Sequence, residues 1–139
     1  MKKTTLHPSG DMLLQTLAMP ADTNPSGDIF GGWIMAQMDM AGGILAKEVT
    51  QSRVVTVAVD SIHFIKPVHV GDVVCCYGKV TRVGNTSITI HLEVWVKQVL
   101  HPKNGQDRQF KVTQAAFTYV AVDENGNKRP VHTSSCPYP

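Results

Sequence analysis

Concentrated charge of either sign is missing from this chain. Thirteen Lys and Arg against eleven Asp and Glu leave a net charge of +2 over 139 residues, and no stretch gathers five or six like charges. A basic footprint for nucleic acid is absent, so no nucleic-acid partner is expected. Long apolar runs are missing too. Nothing approaches the roughly 18 consecutive apolar residues of a membrane-spanning helix, and no apolar segment follows the amino-terminal lysines as in a secretory signal. The expectation is a soluble, cytoplasmic protein with no membrane partner. Cysteine is scarce: Cys75, Cys76 and Cys136 are an odd number without C-x-x-C spacing. Adjacent residues on a strand face opposite ways, so Cys75 and Cys76 cannot chelate one ion together, and all three read as reduced thiols. The six histidines show no H-E-x-x-H pattern, and there is no G-x-S-x-G elbow. Neither a metal site nor a serine nucleophile is expected.

What remains suffices for one core: 42% of the residues are hydrophobic, and the length suits a single domain. That domain is placed at residues 11–123, between a flexible segment at 1–10 and a loose tail at 124–139. Met12 to Ala18 is a short candidate strand, ended by Pro20 and the turn-rich segment PADTNPSGD. Good helix formers run from Gly32 to Lys47, with Lys47 in the last turn, where a cation suits the dipole. After that the pattern alternates. Strands are expected at Arg53–Ile65, Val73–Val83, Thr86–Leu100 and Phe110–Val122, joined mostly by tight turns. The third carries Ile88, Ile90, Leu92, Val94 and Val96 at every second position, so one face is buried. The fold class is therefore α+β: one long central helix packed against a curved, mainly antiparallel five-stranded sheet.

A single carboxylate, Asp39, interrupts the otherwise uncharged stretch GDIFGGWIMAQMDMAGG. Between Gly32 and Ala46 only Gln37 and Asp39 are clearly polar, so the helix is expected to be buried nearly all round, where an unpaired charge is costly. Its neighbours on the same helical face are Met35, Ala36, Gly42 and Gly43. Glycine within a helix costs about 1 kcal/mol relative to alanine. Either another backbone packs closely at Gly42 and Gly43, or space is left open beside Asp39. Asp39 itself is a satisfied buried acid, a simple exposed residue or a functional one.

The helix start supplies a complementary feature. Gly31 and Gly32 present free backbone N–H groups at the positive end of the macrodipole, with no side chain to block a ligand, and such a terminus can polarise a carbonyl oxygen. Asp39 follows Gly32 by seven residues, about 10.5 Å along the axis at about 1.5 Å per residue. One carbonyl cannot touch both groups within one helix. If both act on the same atom they come from different helices, which requires a dimer with two helices antiparallel across a two-fold axis.

DTNPSGDIFGGWIMAQMDMAGG followed by VVTVAVDSIHFIKPVHVGDVV resembles the hotdog-fold acyl-CoA thioesterases, most closely the YciA type, over about Leu13 to Val122. The resemblance implies hydrolysis of acyl-CoA to free CoA and a carboxylic acid without a cofactor, in a homodimer that assembles further to a hexamer. It assigns the catalytic acid to Asp39, the loop asparagine acting across the dimer interface to Asn24, and the carbonyl-polarising N–H to Gly32, with Gly31 as substitute. Asp39 would serve as general base for water or as nucleophile. Phe30 and Gly31 are assigned to the bound substrate. Lys66, Arg82 and Arg53, near strand ends, are candidates for the CoA phosphates. Trp33, Met35 and Met38 are candidate walls for the acyl chain. Two rival readings are a hotdog acyl-thioester dehydratase or hydratase, which would need a catalytic histidine that the loop before the helix lacks, and a non-catalytic acyl-CoA sensor.

Overall fold

The computed structural model describes residues 7–97 and 109–131. Its elements are β1 (Asp11–Leu17), a 3₁₀ turn (Pro20–Asp22), α1 (Gly31–Thr50), β2 (Arg53–Phe64), β3 (Val73–Val83), β4 (Ser87–Lys97) and β5 (Gln109–Val122). The five strands form one antiparallel sheet in the order β1-β3-β4-β5-β2. Because β1 and β2 occupy opposite edges, the helix between them crosses the sheet and touches all five strands. The expected helix and strands are all present; Gln98–Leu100 of the expected third long strand lie outside the described residues.

Alternation places the core. Ile88, Ile90, Leu92, Val94 and Val96 of β4 are fully buried beneath α1, packed with Ile34, Met38, Ala41, Phe117 and Tyr119. Three details depart from the expectations. α1 continues past Lys47 to Thr50, where the Thr50 hydroxyl donates to the Ala46 carbonyl at 2.8 Å and Gln51 closes the helix in the left-handed region. α1 is also not buried all round, since Met40 and Ile44 on its outer side remain 50% and 41% exposed. β2 and β3 are not a hairpin pair: Lys66 and Pro67 end β2, Val68 is buried, and the chain passes to the other side of the sheet. The stretch after Val122 turns over Asp123–Gly126 and folds back, the Val131 N–H donating to Asn85 O and its side chain fully buried, so order extends to Val131; residues 132–139 lie outside the described set. Among the described residues no helix is long and apolar enough to cross a membrane.

The far face of the sheet carries one buried charge. Glu93 is only 4% exposed. Its carboxylate accepts from the Trp95 indole (2.8 Å), His91 Nε2 (2.8 Å) and the Ser9 amide (3.2 Å), with Lys111 Nζ at 3.8 Å. Burial alone would raise its pKa, but these donors and the lysine charge outweigh it and hold the carboxyl below its ordinary 4.5. A lowered folded-state value means that the stabilisation is present above about pH 4.5 and is lost as pH falls through the lower folded value. Urea-unfolding midpoints measured against pH should therefore drop on acidification below that point more steeply for the parent than for Glu93→Gln. At neutral pH the variant should be less stable by about 1–3 kcal/mol. Parallel acid limbs in the two proteins would contradict this.

Candidate functional site

Asp39 is half-buried at the edge of α1, facing β2 and β5. The Thr56 hydroxyl donates to Asp39 Oδ1 at 2.6 Å. The Tyr119 hydroxyl sits 3.1 Å from the same oxygen and 3.0 Å from the Asp39 carbonyl, a forked position. Oδ1 is thus occupied twice, whereas Oδ2 has no hydrogen-bond partner among the described residues. Burial, and then the Asp39 charge and hydrogen bond, push the Tyr119 phenol far up, so it stays a neutral donor.

Of the two reasons anticipated for the paired glycines, open space holds at Gly43, whereas what packs at Gly42 is side chains and not another backbone. A Cβ at Gly42 would collide with the Tyr119 hydroxyl and stand 2.9 Å from Leu92 Cδ1, so Gly42 makes room for the phenol to reach Asp39. A Cβ at Gly43 would meet nothing within 4 Å. Gly43 instead leaves space open, in a groove of about 410 Å³ that also includes Asp39, Met40, Ile44, Thr56 and Tyr119. Met40 and Ile44 are the apolar walls here. Met38 is fully buried in the core and Trp33 packs against it, so neither lines this groove.

The helix start lies elsewhere. Phe30 occupies the N-cap with extended backbone and contributes no side-chain oxygen, which leaves the first amides of α1 pointing out of the helix. Gly31 lines a second cavity, of about 340 Å³, with Phe64, Ile65 and Lys66. The exposed Phe30 ring lies over Gly32, 3.3 Å from where a Cβ would stand. Lys66 Nζ sits 4.9 Å from the centre of the Phe110 ring, at the same cavity as Gly31. Asn24 organises the loop before the helix: its Oδ1 accepts from the amides of Ser26 (2.9 Å) and Asp28 (3.1 Å). With the oxygen so used, the carboxamide NH₂ is the end turned outward, a donor.

The structure thus brings Gly31 and Lys66 to one cavity, leaves the Phe30 ring over Gly32 outside its lining, and places Asp39 in a separate groove of the same chain. It does not bring Arg82 or Arg53 to either. A bulge at Thr81 sets Arg82 opposite Thr89, on the sheet face away from the helix. Arg53 Nη1 donates to the Glu124 carbonyl at 3.2 Å and pins the turn after β5. Cys75 and Cys76 are buried; burial raises both thiols, Cys76 to about 12, so they remain protonated and inert. Thr56 and Tyr119 escaped the sequence reading, because a threonine and a tyrosine on alternating strands look like ordinary sheet residues. The one signal was the unexplained Gly42.

Residues 26–101 match the Thioesterase superfamily. The chain is 62% identical over 122 residues to a Haemophilus influenzae protein named an uncharacterized acyl-CoA thioester hydrolase, spanning 88% of this chain and 78% of that one. It is 57% identical over 122 residues to the acyl-CoA thioester hydrolase YciA of Escherichia coli K12, covering 88% of this chain and 91% of the relative. Among solved structures, the hexameric broad specificity acyl-coenzyme A thioesterase HI0827 superposes with a TM-score of 0.86 at 56% identity, over 94% of this chain and 87% of that chain. With these likenesses spread over one helix on a five-stranded antiparallel sheet, the chain belongs to the Thioesterase superfamily, as a hotdog-fold member of the YciA type.

Proposed function

We propose that the chain hydrolyses acyl-CoA thioesters to free CoA and a carboxylic acid, at a site built from two copies of itself. The observation that carries this reading is the state of Asp39: one carboxylate oxygen is fixed by two hydroxyls, and the other, in an open, largely apolar groove, has no partner among the described residues. Names of the relatives, acyl-CoA thioester hydrolases and a broad specificity acyl-coenzyme A thioesterase, support the same substrate class.

In this reading Asp39 Oδ2 takes a proton from water as the water attacks the thioester carbon. The Gly32 amide of the other copy, with Gly31 beside it, stabilises the developing oxyanion, and the carboxamide NH₂ of the other copy's Asn24 donates to the thioester or the water. The C–S bond then breaks, and the leaving thiolate takes the proton from Asp39 to give free CoA. The alternative, attack by Asp39 Oδ2 on the carbonyl carbon, expels the CoA thiolate and leaves a mixed anhydride that water then hydrolyses to the same acid; label transferred from heavy-oxygen water into Asp39 during a single turnover distinguishes it. Neither form uses a metal or cofactor. Lys66, at the cavity of Gly31, is the cation best placed for the CoA phosphates.

Two features support pairing. β2 is an edge strand with Val55 and Val57 exposed at 44% and 54%, and it borders the groove through Val54 and Thr56. Beside it runs the exposed apolar side of α1, Met40 and Ile44. An open edge next to an apolar helix face is costly in water and is covered when a second copy docks across a two-fold axis. That axis would run the two helices antiparallel, carrying the amino-terminal end of one toward Asp39 of the other. Further assembly to a hexamer follows the hexameric state of HI0827.

Thiol release from short, medium and long acyl-CoAs tests the activity and separates it from a dehydratase or a sensor, neither of which frees CoA. Asp39→Asn should lower kcat by about 10²–10⁴ with little change in KM. Full activity in that variant would remove Asp39 from the chemistry. Tyr119→Phe, which deletes one donor to Oδ1, should cost about tenfold in kcat. Gly42→Ala should lose both stability and activity, because the phenol is displaced. A Tyr119→Phe enzyme indistinguishable from the parent would mean that the forked contact is incidental.

A further inference from the structure

The groove beside Asp39 does not end at the carboxylate. Residues four apart on a helix form a ridge, and Asp39, Gly43 and Lys47 make one such ridge, all three lining the same cavity. Gly43 has no side chain and open space above it, so the ridge is notched into a trough. Met40, Ile44 and Val54 are its apolar lining. Among the described residues no charged side chain lines the trough between its ends; its charges are the Asp39 carboxylate at one end and the Lys47 ammonium at the other, about 12 Å apart along the axis. Lys47 is exposed, and among the described residues no carboxylate lies within 4.0 Å of it. Its position in the last turn of α1 suits the helix dipole, but the dipole does not require the lysine to close an apolar trough that begins at the reacting carboxylate.

We propose that Lys47 receives a second carboxylate at the far end of the acyl chain, so that the substrates include CoA thioesters of medium-length dicarboxylic acids. This rests on the thioester hydrolysis proposed above. The thioester carbonyl is held at Asp39, the methylene chain lies along Gly43 against Met40, Ile44 and Val54 with the second copy closing over it, and the terminal carboxylate reaches the ammonium at the mouth of the trough. Burying the methylenes is favourable, and the carboxylate is met by an unpaired cation rather than stripped of water without a partner. The pantetheine arm fits the trough poorly, because its amides would find no polar groups between the two ends.

The test compares kcat/KM for adipoyl-, suberoyl- and sebacoyl-CoA with that for hexanoyl-, octanoyl- and decanoyl-CoA, in the parent, Lys47→Met and Lys47→Arg. The parent should turn over at least one dicarboxylic substrate as well as its monocarboxylic counterpart. The dicarboxylic-to-monocarboxylic ratio should fall about tenfold in Lys47→Met, as expected for losing one charge-assisted contact, and be retained in Lys47→Arg. An unchanged ratio, including an equal fall on both series that would assign Lys47 to the CoA half, overturns the inference. So does a parent that rejects every ω-carboxylate while cleaving the monocarboxylic series. A parent that releases no thiol from either series overturns instead the proposed hydrolysis on which the inference rests.

Discussion

The fixing of Asp39 Oδ1 by two hydroxyls from neighbouring strands is the contact on which the site depends. A lone carboxylate on an apolar helix would be unfavourable. Here β2 brings Thr56 and β5 brings Tyr119 to the same oxygen, and the other oxygen has no hydrogen-bond partner among the described residues. The rest of the local sequence follows. Gly42 has no side chain because the phenol needs its place, Leu92 packs behind it, and Gly43 has none because the groove needs to be open. The strand order matters equally, since Thr56 and Tyr119 lie on neighbouring residues of the β2–β5 ladder, directly opposite each other under the helix.

Much of this was legible in the sequence. The alternation in β4 marked its buried face without ambiguity, because Ile88 to Val96 at every second position has no helical equivalent. The uncharged helix with one carboxylate marked Asp39. Composition gave a misleading picture of the helix surface, however: a helix with few polar residues suggested burial on all sides, whereas the chain leaves Met40 and Ile44 exposed. Apolarity reports that a face is to be covered, not that the same chain covers it. Strand partners were also hidden. A loop between β2 and β3 looks like a hairpin connection, and only the tertiary arrangement sends β3 between β1 and β4. Arg82 could not be placed on a face from periodicity, because the bulge at Thr81 shifts the alternation by one residue.

Two unsatisfied surfaces sit next to the two halves of the site. The open β2 edge and the apolar side of α1 flank Asp39, while Gly31 at the helix start lines a different cavity of the same chain. Separation along one rigid helix cannot be closed by side-chain motion. Docking a second copy would close it and cover the exposed valines and Met40 in the same step, so catalytic completeness and burial of the edge would come from one event.

Co-assembly of two inactive variants tests that central claim most directly. Asp39→Asn and Asn24→Ala are unfolded together, refolded as a random mixture and assayed for thiol release from one acyl-CoA. If every site takes its acid from one copy and its asparagine from the other, mixed pairs regain one intact site, and about a quarter of the parent's activity returns. If each site lies within a single chain, the mixture stays as inactive as its components, and the shared site is refuted.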